Sequence, residues 1–275
     1  MLGKLLKHEF RATGRLMLPA LGAVLALAVL ANFSIRFIQV TDNTFLTILF
    51  GLVIAAFVIG MVAAAVMTLV LMILRFYRNL LRDEGYLMHT LPVNVHELVW
   101  SKLIVSLVWV LVTWLVICLA VFLTVLIQTG TDLGEIFAAL PSWAEIRKAM
   151  AEFGIRSSDL WLLGGEFLLA MILATLASCL HFYAAMSLGH IFSKDKVLLS
   201  VVFFVAISFL FSILHTGVNV SLMINLEDAS FMETAREGLR LAQNVTARGL
   251  LGELVQGGIL YAVTTWSLKK KLNLA

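Results

Sequence analysis

Long apolar runs separated by short polar islands set the layout of this chain. Runs cover 16–35, 45–74, 103–127, 160–192, 197–220 and 250–268. Each comes close to or exceeds the roughly 20 residues that cross a hydrocarbon core of about 30 Å. Such runs must be helices, because a backbone in lipid has no water to bond. The alternating strands of a membrane barrel are absent from the pattern. The expectation is an all-α membrane protein with six transmembrane helices. The run 45–74 would measure about 45 Å at 1.5 Å per residue, so it should tilt or project beyond the core. Its small residues, Gly51, Ala55, Ala56, Gly60, Ala63 and Ala64, either admit a close neighbouring helix or face lipid. Pro19 falls in the first turn of the first run, where a proline is tolerated.

The polar islands carry the remaining organisation. Residues 1–15 place Leu2, Leu5, Leu6, Phe10 and Thr13 on one helical face and add Lys4, Lys7, Arg11 and Arg15. That is the pattern of an amphipathic elbow helix in the membrane interface, its basic residues toward lipid headgroups, or else of a plain positive flank to the first run. The apolar run continues past Ala26-Leu27-Ala28, unlike the short core of a signal peptide. Residues 75–102 form a polar connector. Residues 128–159 and 221–249 form two further polar segments, each with a capping box: Ser142 with Glu145, and Ser230 with Glu233. Trp143, Ile146, Met150 and Phe153 line one side of the first short helix; Met232, Ala235, Leu239 and Ala242 line the second. Lys194-Asp195-Lys196 reads as a tight turn.

Charge fixes the expected orientation. Most of the 20 Lys and Arg residues fall at the N-terminus, the connector (Arg75, Arg78, Arg82, Lys102), the turn (Lys194, Lys196) and the tail (Lys269, Lys270, Lys271). Arg36, Arg147, Lys148, Arg156, Arg236, Arg240 and Arg248 lie on the other side, with most of the acids. The positive-inside rule then places both termini and the connector in the cytoplasm. It makes 128–159 and 221–249 extracellular, in a multi-pass protein of the plasma membrane.

Composition agrees. The chain is 61% hydrophobic and 13% charged, with a mean hydropathy of +0.99. Soluble domains run nearer half apolar and a quarter charged. The pI near 9.0 is explained by topology and gives no reason to expect nucleic acid. Cys118 and Cys179 sit inside apolar runs and read as small hydrophobes. No GxxxxGK[ST] phosphate loop, HExxH, paired Cys-x-x-Cys or Gly-x-Ser-x-Gly elbow occurs. His89 and His96 lie in the connector without a third ligand nearby, so no metal is expected. Ser178 and His181 are close on one run, a pairing common by chance. No catalytic residues and no enzymatic activity are assigned to this chain. Glu166 and Glu253, near the outer ends of the fourth and sixth runs, either snorkel to the interface or line an outer vestibule. His181 and His190 read as helix-packing residues.

The basic N-terminal segment MLGKLLKHEFRATGR leads into six runs, with RDEGYLMHTLPVNVHELVWSK between the second and third. In this layout the chain resembles the permease subunits of bacterial type-2 ATP-binding-cassette exporters, in particular those grouped with bacitracin or lantibiotic export. The specific part is EGYLMHTLPV followed by a short helix and Lys102. The resemblance implies a coupling helix in the connector, seated in a groove of a cytosolic ATPase subunit. It maps onto Asp83, Glu84, Gly85, Tyr86, Leu87, Thr90, Leu91 and Pro92. It also implies a second permease subunit, ATP and Mg bound on the ATPase chain, and export of an amphipathic peptide antibiotic, drug or lipid by alternating access. The residues suit that role: Leu91-Pro92 sets a rigid turn, and Tyr86 and Leu87 are anchor types for a partner's pocket. The short outer segments depart from permeases that carry a large extracellular sensor domain. Other classes remain in view: a stand-alone secondary transporter or channel, which would usually show broken spans or buried mid-membrane charge, and a regulatory membrane subunit that does not transport.

Overall fold

The computed structural model describes residues 2–81, 94–129, 134, 141–152, 155–192, 194–227 and 235–270. Among them seven α-helices follow in order: α1 (Leu2–Ile38), α2 (Thr44–Phe76), α3 (Val95–Thr129), α4 (Trp143–Glu152), α5 (Ser157–Gly189), α6 (Lys196–Glu227) and α7 (Ala235–Lys270). A π-helical turn, Tyr77–Leu81, prolongs α2. The described residues contain no strand. Five helical stretches are long and apolar enough to cross a membrane: Leu2–Ile38, Thr44–Leu81, Val95–Gln128, Ser157–Gly189 and Lys196–Leu214. Large apolar side chains lie exposed on all five, among them Leu18, Phe45, Leu115, Trp161 and Phe209. A soluble protein does not leave that much apolar surface open to water. The chain is an all-α, multi-pass membrane protein. The sixth expected run, 250–268, lies in α7, which is not among the five. Glu253, Gln256 and the glycines at 252, 257 and 258 dilute its hydropathy.

The chain divides into two compact units, residues 1–75 with 100–140 and residues 76–99 with 141–275. In the first, α1 buries a stripe of Glu9, Thr13, Met17, Leu21, Val24, Ala28 and Ala31, spaced three and four apart. This stripe continues unbroken through Arg15–Leu16, so the basic segment and the first apolar run are one helix with no break between them. Pro19 therefore sits in the helix interior rather than its first turn. It removes a backbone donor there, a loss that membrane helices tolerate. Helix α2 returns antiparallel to α1: Leu27 packs on Gly60, and Phe37 stacks on Phe50 at 5.5 Å. Of the small residues of α2, Ala64 is buried, whereas a Cβ at Gly51 would enter open space and Ala55, Ala56 and Ala63 are exposed. Helix α3 runs parallel to α1 and antiparallel to α2, where the Thr68 and Thr113 hydroxyls meet at 2.9 Å. Thr68 donates to the Ala64 carbonyl, so Thr113 is the donor between the two.

The second unit is built on α5, which packs against α6 and α7. Helices α5 and α6 form an antiparallel hairpin whose closest approach is Gly189 against Ser200. A Cβ at Gly189 would lie 2.6 Å from the Ser200 amide nitrogen, so no other residue fits. The turn between them holds Asp195 at φ 52°, the left-handed backbone that a sharp reversal needs. Helix α7 runs parallel to α5, tied by Ser267 Oγ donating to the Ser187 carbonyl at 2.8 Å. Helix α4 begins with the expected capping box: the Ser142 amide donates to Glu145 Oε2 at 2.7 Å, and the Glu145 amide to Ser142 Oγ at 3.3 Å. Met150 is buried, and Trp143 meets Trp161 of α5 at 5.9 Å. The second capping box, Ser230 with Glu233, lies outside the described residues.

Candidate functional site

The residues singled out for coupling, Asp83, Glu84, Gly85, Tyr86, Leu87, Thr90, Leu91 and Pro92, lie outside the described residues, as does His89. Both flanks of that segment are described, and both belong to the second unit. On the upstream flank, α2 widens into the π-helical turn Tyr77–Leu81, with Asn79, Leu80 and Leu81 buried. Such turns recur at functional sites, because the inserted residue re-aims the side chains around it. Phe76 stacks on Tyr183 at 3.9 Å, nearly parallel, and both rings are fully buried. Tyr77 meets His190 edge-on at 5.3 Å, and His190 Nδ1 lies 2.8 Å from the Met186 carbonyl.

On the downstream flank, the Asn94 carbonyl accepts the Glu97 and Leu98 amides and so starts α3. Two residues on, His96 bridges to α7. Its Nδ1 lies 2.7 Å from the Tyr261 hydroxyl, and its Nε2 lies 2.8 Å from Lys269 Nζ. An ammonium has donors and no lone pair, so Lys269 donates to Nε2. The ring proton then sits on Nδ1 and points to the Tyr261 oxygen, a tautomer assigned from this network. Both ends of the connector are thus fastened to the end of the unit where α5 and α7 terminate. Both nitrogens of His96 are engaged, and among the described residues no group of three His, Cys, Asp or Glu could hold a metal.

Glu166 and Glu253 are half-buried on α5 and α7. Glu166 Oε2 is enclosed without a hydrogen-bond partner, and among the described residues no bond joins the two acids. His181 is engaged by α6: its Nε2 lies 3.0 Å from Ser208 Oγ and 3.3 Å from the Phe204 carbonyl. It bridges two helices.

Sequence reasoning passed over one feature of the first unit. Glu9 and Lys102 form a buried ion pair at 2.5 Å, with side chains 9% and 3% exposed. One turn on, Trp109 Nε1 donates to Thr13 Oγ1 at 2.8 Å, and Thr13 donates to the Glu9 carbonyl. Gly14 lies beside the Trp109 indole, where a Cβ would make an ordinary contact at 3.6 Å. Nearer the far ends, Asn32 Nδ2 donates to Thr124 Oγ1 at 3.2 Å, and Arg36 Nη2 to the Ile127 carbonyl at 2.8 Å. Polar ties therefore fasten both ends of the α1–α3 seam. A signal was available: Glu9 is the only acid before Asp42, and Lys102 the only base between Arg82 and Arg147. Two solitary opposite charges beside apolar runs are natural partners. The arrangement holds helices in register and contains no set of reacting groups. No protein-family model, curated protein or solved structure matches the chain.

Proposed function

We propose that this chain is the membrane permease subunit of an ATP-driven exporter of the type-2 ATP-binding-cassette kind. In this reading the five long apolar helices and α7 make six spans, with both termini cytoplasmic. The connector positions Asp83, Glu84, Gly85, Tyr86, Leu87, Thr90, Leu91 and Pro92 seat in a cytosolic ATPase subunit that carries ATP and Mg. A second permease subunit completes the path for an amphipathic substrate. The observation that carries the reading is the fastening of both connector flanks, Phe76–Tyr183 and Tyr77–His190 on one side and His96–Tyr261–Lys269 on the other. A lever works only if its base is stiff, and these contacts tie the base to two long helices. Glu166 and Glu253 are assigned to an outer vestibule.

The test is co-purification with an ATPase chain, followed by ATP hydrolysis with and without this subunit. Leu87→Asp and Leu91→Asp should abolish stimulation while membrane insertion and yield stay unchanged. Transport by the purified chain with no nucleotide-hydrolysing companion would replace this reading with a stand-alone transporter or channel. A stable complex with the ATPase that moves nothing would make it a regulatory subunit.

A further inference from the structure

The first turns of α1 carry a second surface, independent of the permease reading. Lys4, Lys7, His8, Arg11 and Arg15 are all exposed. At about 100° per residue these five positions fall within one sector of the helix, along about 16 Å of its length. Glu9 is the one acid that could dilute this stripe, and it is on the opposite side, buried and matched by Lys102. The outward charge of residues 4–15 is therefore positive only. Directly beyond Arg15 the exposed surface turns apolar, with Leu16 at 49% and Leu18 at 65% exposure, continuing through Val29, Leu30 and Phe33. The stripe thus ends where exposed apolar surface begins.

We propose that residues 4–15 of α1 form a binding surface for anionic phospholipid headgroups, kept free of opposing charge by the internal Glu9–Lys102 pair. The occupant follows from charge and position together. A soluble anion would need no adjoining apolar belt, and a zwitterionic headgroup cancels its own phosphate with an amine. Juxtamembrane Lys and Arg each contribute about 1 kcal/mol of attraction to an anionic leaflet, roughly a factor of 5 per charge.

The experiment uses the full chain in phosphatidylcholine bilayers containing a minor fraction of phosphatidylglycerol. Spin-labelled phosphatidylglycerol and spin-labelled phosphatidylcholine report the fraction of each lipid held at the protein. The wild type should prefer phosphatidylglycerol several-fold, with the preference falling as salt rises. Lys4→Gln/Lys7→Gln/Arg11→Gln/Arg15→Gln should lower the ratio several-fold, the other basic residues retaining the rest; Lys7→Gln/Arg11→Gln serves if the fourfold variant is not monodisperse. His8→Glu, which puts an acid on the stripe, should lower the ratio about as much as removing one base. Arg147→Gln/Lys148→Gln on α4 should leave it unchanged. An unchanged ratio in the stripe variants, or an equal loss in the α4 variant, overturns the proposal. So does a stripe that shows no lipid preference yet is needed to retain a soluble protein partner, which would assign the surface to that partner.

Discussion

Removing one member of the Glu9–Lys102 pair should be the most damaging conservative change in the first unit. Lys102→Met leaves the Glu9 carboxylate in a site where its side chain is 9% exposed; Glu9→Gln leaves the Lys102 ammonium in one 3% exposed. Breaking a buried pair by deleting one partner costs about 3–5 kcal/mol, because the survivor keeps its desolvation cost and loses its attraction. Two charges 4 Å apart at an effective dielectric of 20 attract by about 4 kcal/mol, the same order. Deleting both charges behaves differently. Glu9→Leu/Lys102→Met removes two buried ions and adds apolar packing, which is neutral or stabilising by about 1–4 kcal/mol in comparable sites. For a chain of this size a loss of about 3 kcal/mol corresponds to a drop of about 6–12 °C in melting temperature. The assay is thermal unfolding of the purified protein in one detergent, followed by Trp fluorescence, across both singles and the double. The expected result is two strongly destabilised singles and a double near the wild type. A Lys102→Met protein melting within about 2 °C of the wild type, equivalent to less than about 1 kcal/mol, would refute the argument.

Other sites give sharper or milder expectations. Gly189→Ala should destabilise by at least about 1–3 kcal/mol, the usual cost of overpacking. Ser200→Ala should not rescue it, since the obstacle includes the Ser200 backbone nitrogen at 2.6 Å; a full rescue in a melt would show that the side chain alone is at fault. Gly60→Ala meets only the flexible Leu27 Cδ1, at 2.9 Å, and should cost less than Gly189→Ala in the same assay. Trp109→Phe loses the bond to Thr13 and should cost about 1 kcal/mol, with Thr13→Val non-additive to it in a double-mutant cycle. His96→Leu and Lys269→Ala should show a coupling of about 0.2–1 kcal/mol, as expected for an exposed contact, and additive effects would dissolve the bridge.

The long helices could be read directly from the chain because apolar runs of membrane length have few alternatives to a helix. The basic segment 1–15 and the apolar run 16–35 differ in charge, while the stripe that packs, Thr13, Met17 and Leu21, passes from one to the other without interruption. Periodicity of packing governs the helix, and charge governs only where it meets water. The Lys194-Asp195-Lys196 turn was legible from local chemistry. Glu9–Lys102 and His96–Tyr261–Lys269 were not, because their partners stand 93, 165 and 173 positions apart. A basic N-terminal segment draws the eye to its cations and hides its single acid. His96 was considered only beside His89, as half of a metal pair that was set aside, whereas Tyr261 and Lys269 engage both of its nitrogens. Glu166 and Glu253 were located correctly on helices, but their spacing in sequence carried no information about what lies beside each carboxyl.

The α1–α3 seam also dictates an order of events during synthesis. Its four ties join residues 91 to 96 positions apart, whereas His181 and Ser208 in the α5–α6 hairpin are 27 apart. A ribosome will have released most of α1 and α2 before the lysine that balances Glu9 exists. Until then the buried contact between Glu9 and Lys102 cannot form. The later hairpin faces no such wait, since its two halves leave the ribosome almost together. The first half of this polypeptide is therefore made early and finished late.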